Sequence, residues 1–200
     1  MKQLSIFIIG ILLSTSAALA GGYEVGDKAS DFSLKNVDNK MVSMADFDDA
    51  KGFIVIFTCN HCPYSKKYED RIIALDEKYK DKGFPVIAVN PNDPEIQPED
   101  SFPMMQKRAE EKGFTFPYLF DETQEYASKY GATRTPHVYI LTKEKDDLIV
   151  KYIGAIDNNV KNADLADEKY VEEAVDALLE GNDPEVDYTK AVGCTIKWKK

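Results

Sequence analysis

An α/β fold with a central mixed β-sheet flanked by helices is what this sequence predicts, and three observations predict it. Two apolar runs, residues 53–57 and 84–89, hold β-branched residues and no charged ones, as strands buried on both faces require. Between them Tyr68, Ile72, Leu75 and Tyr79 recur at helical spacing, with Lys66, Lys67, Glu69, Asp70 and Glu77 on the other faces. Residues 137–141 and 148–153 form two further strand-like runs joined by a charged turn over 142–147. Strand, helix and strand imply a parallel pair in the middle of the sheet, and the late hairpin adds antiparallel edge strands.

From the N-terminus, Met1-Lys2, an apolar stretch over 4–13, and Ala18-Leu19-Ala20 before Gly21-Gly22 predict a secretory signal peptide at 1–20. The competing reading is a membrane anchor, but the stretch falls short of the roughly 20 apolar residues a spanning helix needs. Residues 21–200 are expected as a single domain, periplasmic or secreted, with no membrane insertion once the leader is cleaved. Alternation in Asp31-Phe32-Ser33-Leu34-Lys35 and in Lys40-Met41-Val42-Ser43-Met44 predicts an N-terminal hairpin extension. A Pro- and Asn-rich loop covers 90–98. A helix is expected over 99–112 with Pro103 early in it, a strand over 116–120, and a helix over 122–130 stopped by Gly131. The last helix, 167–180, sets Tyr170, Val171, Ala174, Val175 and Leu178 on one side. An irregular tail, 182–200, carries Cys194 and the only Trp, Trp198.

The 25 basic and 35 acidic side chains leave a net charge of −10. No basic patch exists beyond Lys197, Lys199 and Lys200, so nucleic acid is excluded as a partner. Three Cys residues are too few to staple a disulfide-dependent fold, which a chain of this length does not need.

Cys59-Asn60-His61-Cys62 stands between the first buried strand and the first helix. Two thiols at that spacing can close and reopen a small disulfide ring. A free thiol has a pKa of about 8.5, and the thiolate is the nucleophile. Cys59 is expected at the helix N-terminus, where unpaired N–H groups and the dipole favour negative charge. His61, when protonated, adds to that. Cys59 is thus read as the nucleophile and Cys62, inside the first turn, as the resolving thiol. The competing reading is an inert disulfide. A metal site needs more ligands than Cys194, His61 and His137 supply at zinc spacing, and a haem attachment motif needs His where Pro63 stands, so no metal or cofactor is expected. Cys194 is either a third redox thiol or a buried bystander. His137 reads as a packed strand-start residue. Asn90, Asn92, Asp93 and Asp157 read as turn residues or as part of a ligand-binding rim.

Cys-x-x-Cys after a buried strand, with Thr135-Pro136 before the late hairpin, resembles the thioredoxin-like superfamily. Asp31-Phe32-Ser33-Leu34, Phe116-Pro117-Tyr118-Leu119-Phe120-Asp121, Tyr152-Ile153-Gly154-Ala155-Ile156-Asp157 and Gly193-Cys194-Thr195-Ile196-Lys197-Trp198 resemble its redoxin branch (AhpC/TSA, peroxiredoxin-like), over nearly all of 23–200. The resemblance implies a cis Pro136 packed on the cysteines and a Thr135 backbone free to pair with an extended substrate. Arg134 reads either as a neighbour of a thiolate or bound peroxide or as a solvated loop residue. Thr58 and Asn60-His61 depart from the Trp and Gly-Pro of thioredoxin. Neither cysteine satisfies the peroxiredoxin Pro-x-x-x-Thr-x-x-Cys pattern. The expected function is an exported thiol–disulfide oxidoreductase acting on protein thiols or disulfides with a redox partner protein. The alternatives are a thiol peroxidase reducing peroxides and a non-catalytic binding module.

Overall fold

The computed structural model describes residues 21–200; the expected signal peptide lies outside the described residues. The strands are β1 (Lys28–Ala29), β2 (Ser33–Asn36), β3 (Met41–Ser43), β4 (Gly52–Phe57), β5 (Val86–Asn90), β6 (Tyr118–Phe120), β7 (Arg134–Thr135), β8 (His137–Glu144), β9 (Asp147–Gly154) and β10 (Cys194–Thr195). The helices are α1 (Pro63–Tyr79), α2 (Phe102–Lys112), α3 (Glu125–Tyr130) and α4 (Tyr170–Leu179). Eight strands make one mixed sheet in the order β1-β9-β8-β4-β5-β6-β2-β3, and β10 pairs with β7 separately. β4, β5 and β6 run parallel, and β8 and β9 extend the sheet antiparallel, as the strand–helix–strand pattern predicts.

The sheet separates two apolar layers. Successive side chains of a strand point to opposite faces, so β4 sends Ile54 and Ile56 one way and Phe53, Val55 and Phe57 the other. All six β4 residues are buried, which is why its apolar run does not alternate. On the first face the α1 stripe of Tyr68, Ile72, Leu75 and Tyr79 packs with Val171, Ala174 and Val175 of α4. On the second, Ala127 and Tyr130 of α3 pack with Tyr139, Leu141 and Ile196.

Three differences from the sequence expectation matter. The helix expected over 99–112 begins at Phe102, after a 3-10 turn at Pro98–Asp100. Pro103 lacks an N–H and clashes with the preceding turn, so it holds the first turn of α2 rather than its interior. The tail, expected as irregular, contributes β10, and β1 joins the sheet edge. The Thr135–Pro136 peptide is cis, as the resemblance implied. No helix among the described residues is long and apolar enough to cross a membrane.

Candidate active site

The site lies at the carboxyl end of β4, where Thr58 still pairs with β5 through its N–H to Val89 O at 2.8 Å. Cys59, Asn60 and His61 form a loop, and α1 starts at Pro63. The residue before a proline is pushed out of the helical region. Cys62 is accordingly extended and caps the helix, with Cys59 three residues ahead of it. This corrects the placement of Cys59 at the helix start and of Cys62 inside the first turn.

One residue from far along the chain touches both sulfurs. Thr135 Oγ1 lies 3.1 Å from Cys59 Sγ, and Thr135 O accepts from the protonated Cys62 thiol at 3.2 Å. Ser65 Oγ is 3.8 Å from Cys59 Sγ. Both thiols are free and buried, Cys59 at 3% exposure and Cys62 at 0%. Thr135 is therefore assembled on the pair, with the cis peptide to Pro136 directly after it. Arg134 is not: its Nη1 donates to Gly193 O at 3.5 Å, toward the tail.

His61 meets a residue that sequence reasoning missed. Asp100, wholly buried, accepts the backbone N–H of Asn60 at 2.7 Å and of His61 at 3.0 Å through Oδ1. Its Oδ2 takes His61 Nδ1 at 2.5 Å and Asn92 Nδ2 at 2.7 Å. His61 Nδ1 is farther from Cys59 Sγ, at 3.6 Å. Cys59, His61 and Asp100 bring ligand-type atoms within 4.8 Å of one another, but hydrogen bonds already engage both Asp100 oxygens. Asn90 and Asn92 hold this loop, Asn90 Nδ2 donating to Asp100 O at 3.0 Å. Asp157 instead binds Arg71 and the Tyr68 hydroxyl, away from the sulfurs. His137 is packed on Tyr139 at the start of β8; burial lowers its pKa to about 4, and its Nδ1 accepts the Thr133 N–H at 3.4 Å. Cys194 is half-buried in β10, directly opposite Thr135.

A family model described as AhpC/TSA matches residues 25–156. The chain belongs to the AhpC/TSA family. A crystal structure of an uncharacterised conserved protein from Geobacillus kaustophilus is 39% identical, covering 88% of this chain and 93% of that one with a TM-score of 0.81. Thiol-disulfide oxidoreductase ResA of Halalkalibacterium halodurans is 24% identical over 131 residues, 66% of this chain and 69% of the relative. A protein assigned as the thiol:disulfide interchange protein DsbE from Chlorobium tepidum, 24% identical over 64% of this chain and 84% of its own with a TM-score of 0.53, shares the thioredoxin-like fold.

In this AhpC/TSA member the charge falls differently from the sequence expectation. Burial raises the Cys59 thiol pKa, the hydrogen bond with Cys62 and the Asp100 charge raise it further, and the Thr135 hydroxyl opposes them. Cys62 is pulled down to about 4, chiefly by the Cys59 thiol as donor, with help from Cys194 and the Ser65 N–H, against its own burial. The helix N-terminus thus favours an anion on Cys62, its capping residue. Two expected supports of a Cys59 thiolate are diverted, because Asp100 takes the loop N–H groups and lies closer to His61.

Proposed function

We propose that this protein is a thiol–disulfide oxidoreductase whose redox couple is Cys59 and Cys62, exchanging with thiols and disulfides of other proteins. One observation carries the reading: Thr135, beside Pro136, contacts both free sulfurs at 3.1 and 3.2 Å, which holds the two thiols of a Cys-x-x-Cys pair against a single strand edge. Membership of the AhpC/TSA family and likeness to the ResA proteins support it. A thiolate of the pair attacks a substrate disulfide, a mixed disulfide forms, and the second sulfur displaces the substrate thiol to close the Cys59–Cys62 ring. His61 Nδ1 stands 3.6 Å from Cys59 Sγ and is bound to Asp100, whose charge favours the proton on Cys59. The signal-like segment at 1–20 supports work outside the cytoplasm, periplasmic or secreted, where a redox partner protein resets the couple.

The test is insulin-disulfide reduction with a thiol donor, run beside peroxide consumption. The wild type is expected to reduce insulin, and Cys59→Ser and Cys62→Ser each to fall to the uncatalysed rate. Full insulin reduction by either variant overturns the couple; peroxide consumption without insulin reduction makes the protein a peroxidase instead.

A further inference from the structure

The edge of β7 beside the buried pair is taken by the chain's own tail. β10 runs antiparallel to β7, Cys194 opposite Thr135 and Thr195 opposite Arg134. Directly opposed residues of an antiparallel pair project to one face, their Cβ atoms about 4.5–5.5 Å apart. Thr135 turns its hydroxyl onto Cys59 Sγ, so Cys194 is presented to the same side. Both its thiol and its backbone act on the Cys62 sulfur.

The docking is built, not incidental. Ile196 is 4% exposed within the second core. The Lys197 N–H donates to Asn92 Oδ1 at 2.8 Å, and Lys197 O accepts from Asp93 N at 2.9 Å and Gln124 Nε2 at 2.7 Å. A Cβ on Gly193 would sit 2.2 Å from Thr135 O, so only glycine lets the strand come this close. A cysteine in an extended strand, added to the edge that flanks a redox pair, is the arrangement a disulfide-bearing peptide would adopt. Of the three thiols, Cys194 is the one with appreciable surface.

We propose that Cys194 is a third redox thiol, carried on a built-in substrate strand, which passes the disulfide between the buried pair and the surface. This rests on the reading of Cys59 and Cys62 as the exchanging couple. Once a substrate disulfide has oxidised that couple, Cys194 gives its proton to solvent and its sulfur attacks Cys62 Sγ. The Cys62–Cys194 bond forms as the Cys59–Cys62 bond breaks. The electron pair leaves on Cys59, which takes up a proton, so the step involves no net oxidation. A partner dithiol then attacks at Cys194, is itself oxidised to a disulfide, and returns Cys62 and Cys194 as thiols.

Disulfide mapping tests this on the full chain, oxidised with one equivalent of diamide, acid-quenched, alkylated and digested. Cys62–Cys194 is expected beside Cys59–Cys62 in the wild type, and as the predominant intrachain bond in Cys59→Ser. Gly193→Ala is expected to keep Cys59–Cys62 and lose most of the Cys62–Cys194 bond. Cys194 fully alkylated in wild type and Cys59→Ser, with Cys59–Cys62 formed and insulin reduced, overturns the relay and leaves the couple standing. Absence of Cys59–Cys62 together with absence of insulin reduction overturns the couple, and the relay with it.

Discussion

Asp100 shows how one buried carboxylate bears on the protonation of a neighbouring sulfur. It gathers four donors and presses its charge on Cys59. Asp100→Asn keeps the shape but removes the charge and part of the accepting capacity. The expected cost is roughly 1–3 kcal/mol, measured by urea unfolding, because buried donors lose their acceptor. The Cys59 thiol is expected to titrate at lower pH than in the wild type. Ultraviolet thiolate absorbance of the reduced protein reads this, and it also reads Cys62, whose signal is expected to persist down to about pH 4 and to vanish in Cys62→Ser. That folded value lies below the ordinary thiol value, so the interaction stabilises the reduced protein above the ordinary thiol range and is lost as pH falls through about 4. The cysteines and His61 were legible because they share one short motif, and Thr135-Pro136 because the resemblance pairs it with them. Asp100 was not, since it falls at the start of the stretch read as a helix over 99–112, and its approach to residue 60 depends on how the segment after β5 folds back.

At the scale of elements, a buried carboxylate of α1 is held by α2. Arg108 grips Glu69 with both ends of its guanidinium, at 2.7 and 2.6 Å, and Glu69 is buried. Arg108→Ala would leave that carboxylate with only Lys112, at 3.5 Å. The expected loss is about 3 kcal/mol in urea unfolding, at the lower end for breaking a buried pair, because Lys112 remains. A Glu69→Gln, Arg108→Ala double variant should recover part of it. The helices were readable from spacing, since a stripe such as Tyr68, Ile72, Leu75 and Tyr79 records burial on one face. The start of α2 was misplaced because periodicity does not weigh the missing N–H of Pro103. Two-residue strands such as β7 and β10 are too short to carry a period at all.

For the molecule as a whole, the sheet was legible and its closure by the tail was not. Parallel β4 and β5 with an antiparallel hairpin beyond them follow from element order. The seating of residues 193–199 depends on Asn92, Thr133 and Gln124, each distant in sequence, so 182–200 reads as irregular when taken alone. Deleting 193–200 is expected to cost at least about 1.5–3 kcal/mol from the lost burial of Ile196. It should also speed alkylation of reduced Cys59 and Cys62, both measured against the intact chain; an unchanged alkylation rate would show that the tail does not shield them. The sole indole of the protein, Trp198, rides on this segment between the anchored backbones of Lys197 and Lys199, at 40% exposure. Fluorescence excited selectively at the indole therefore comes from a single emitter on the docked tail, and a label-free optical trace reports whether the terminus stays seated.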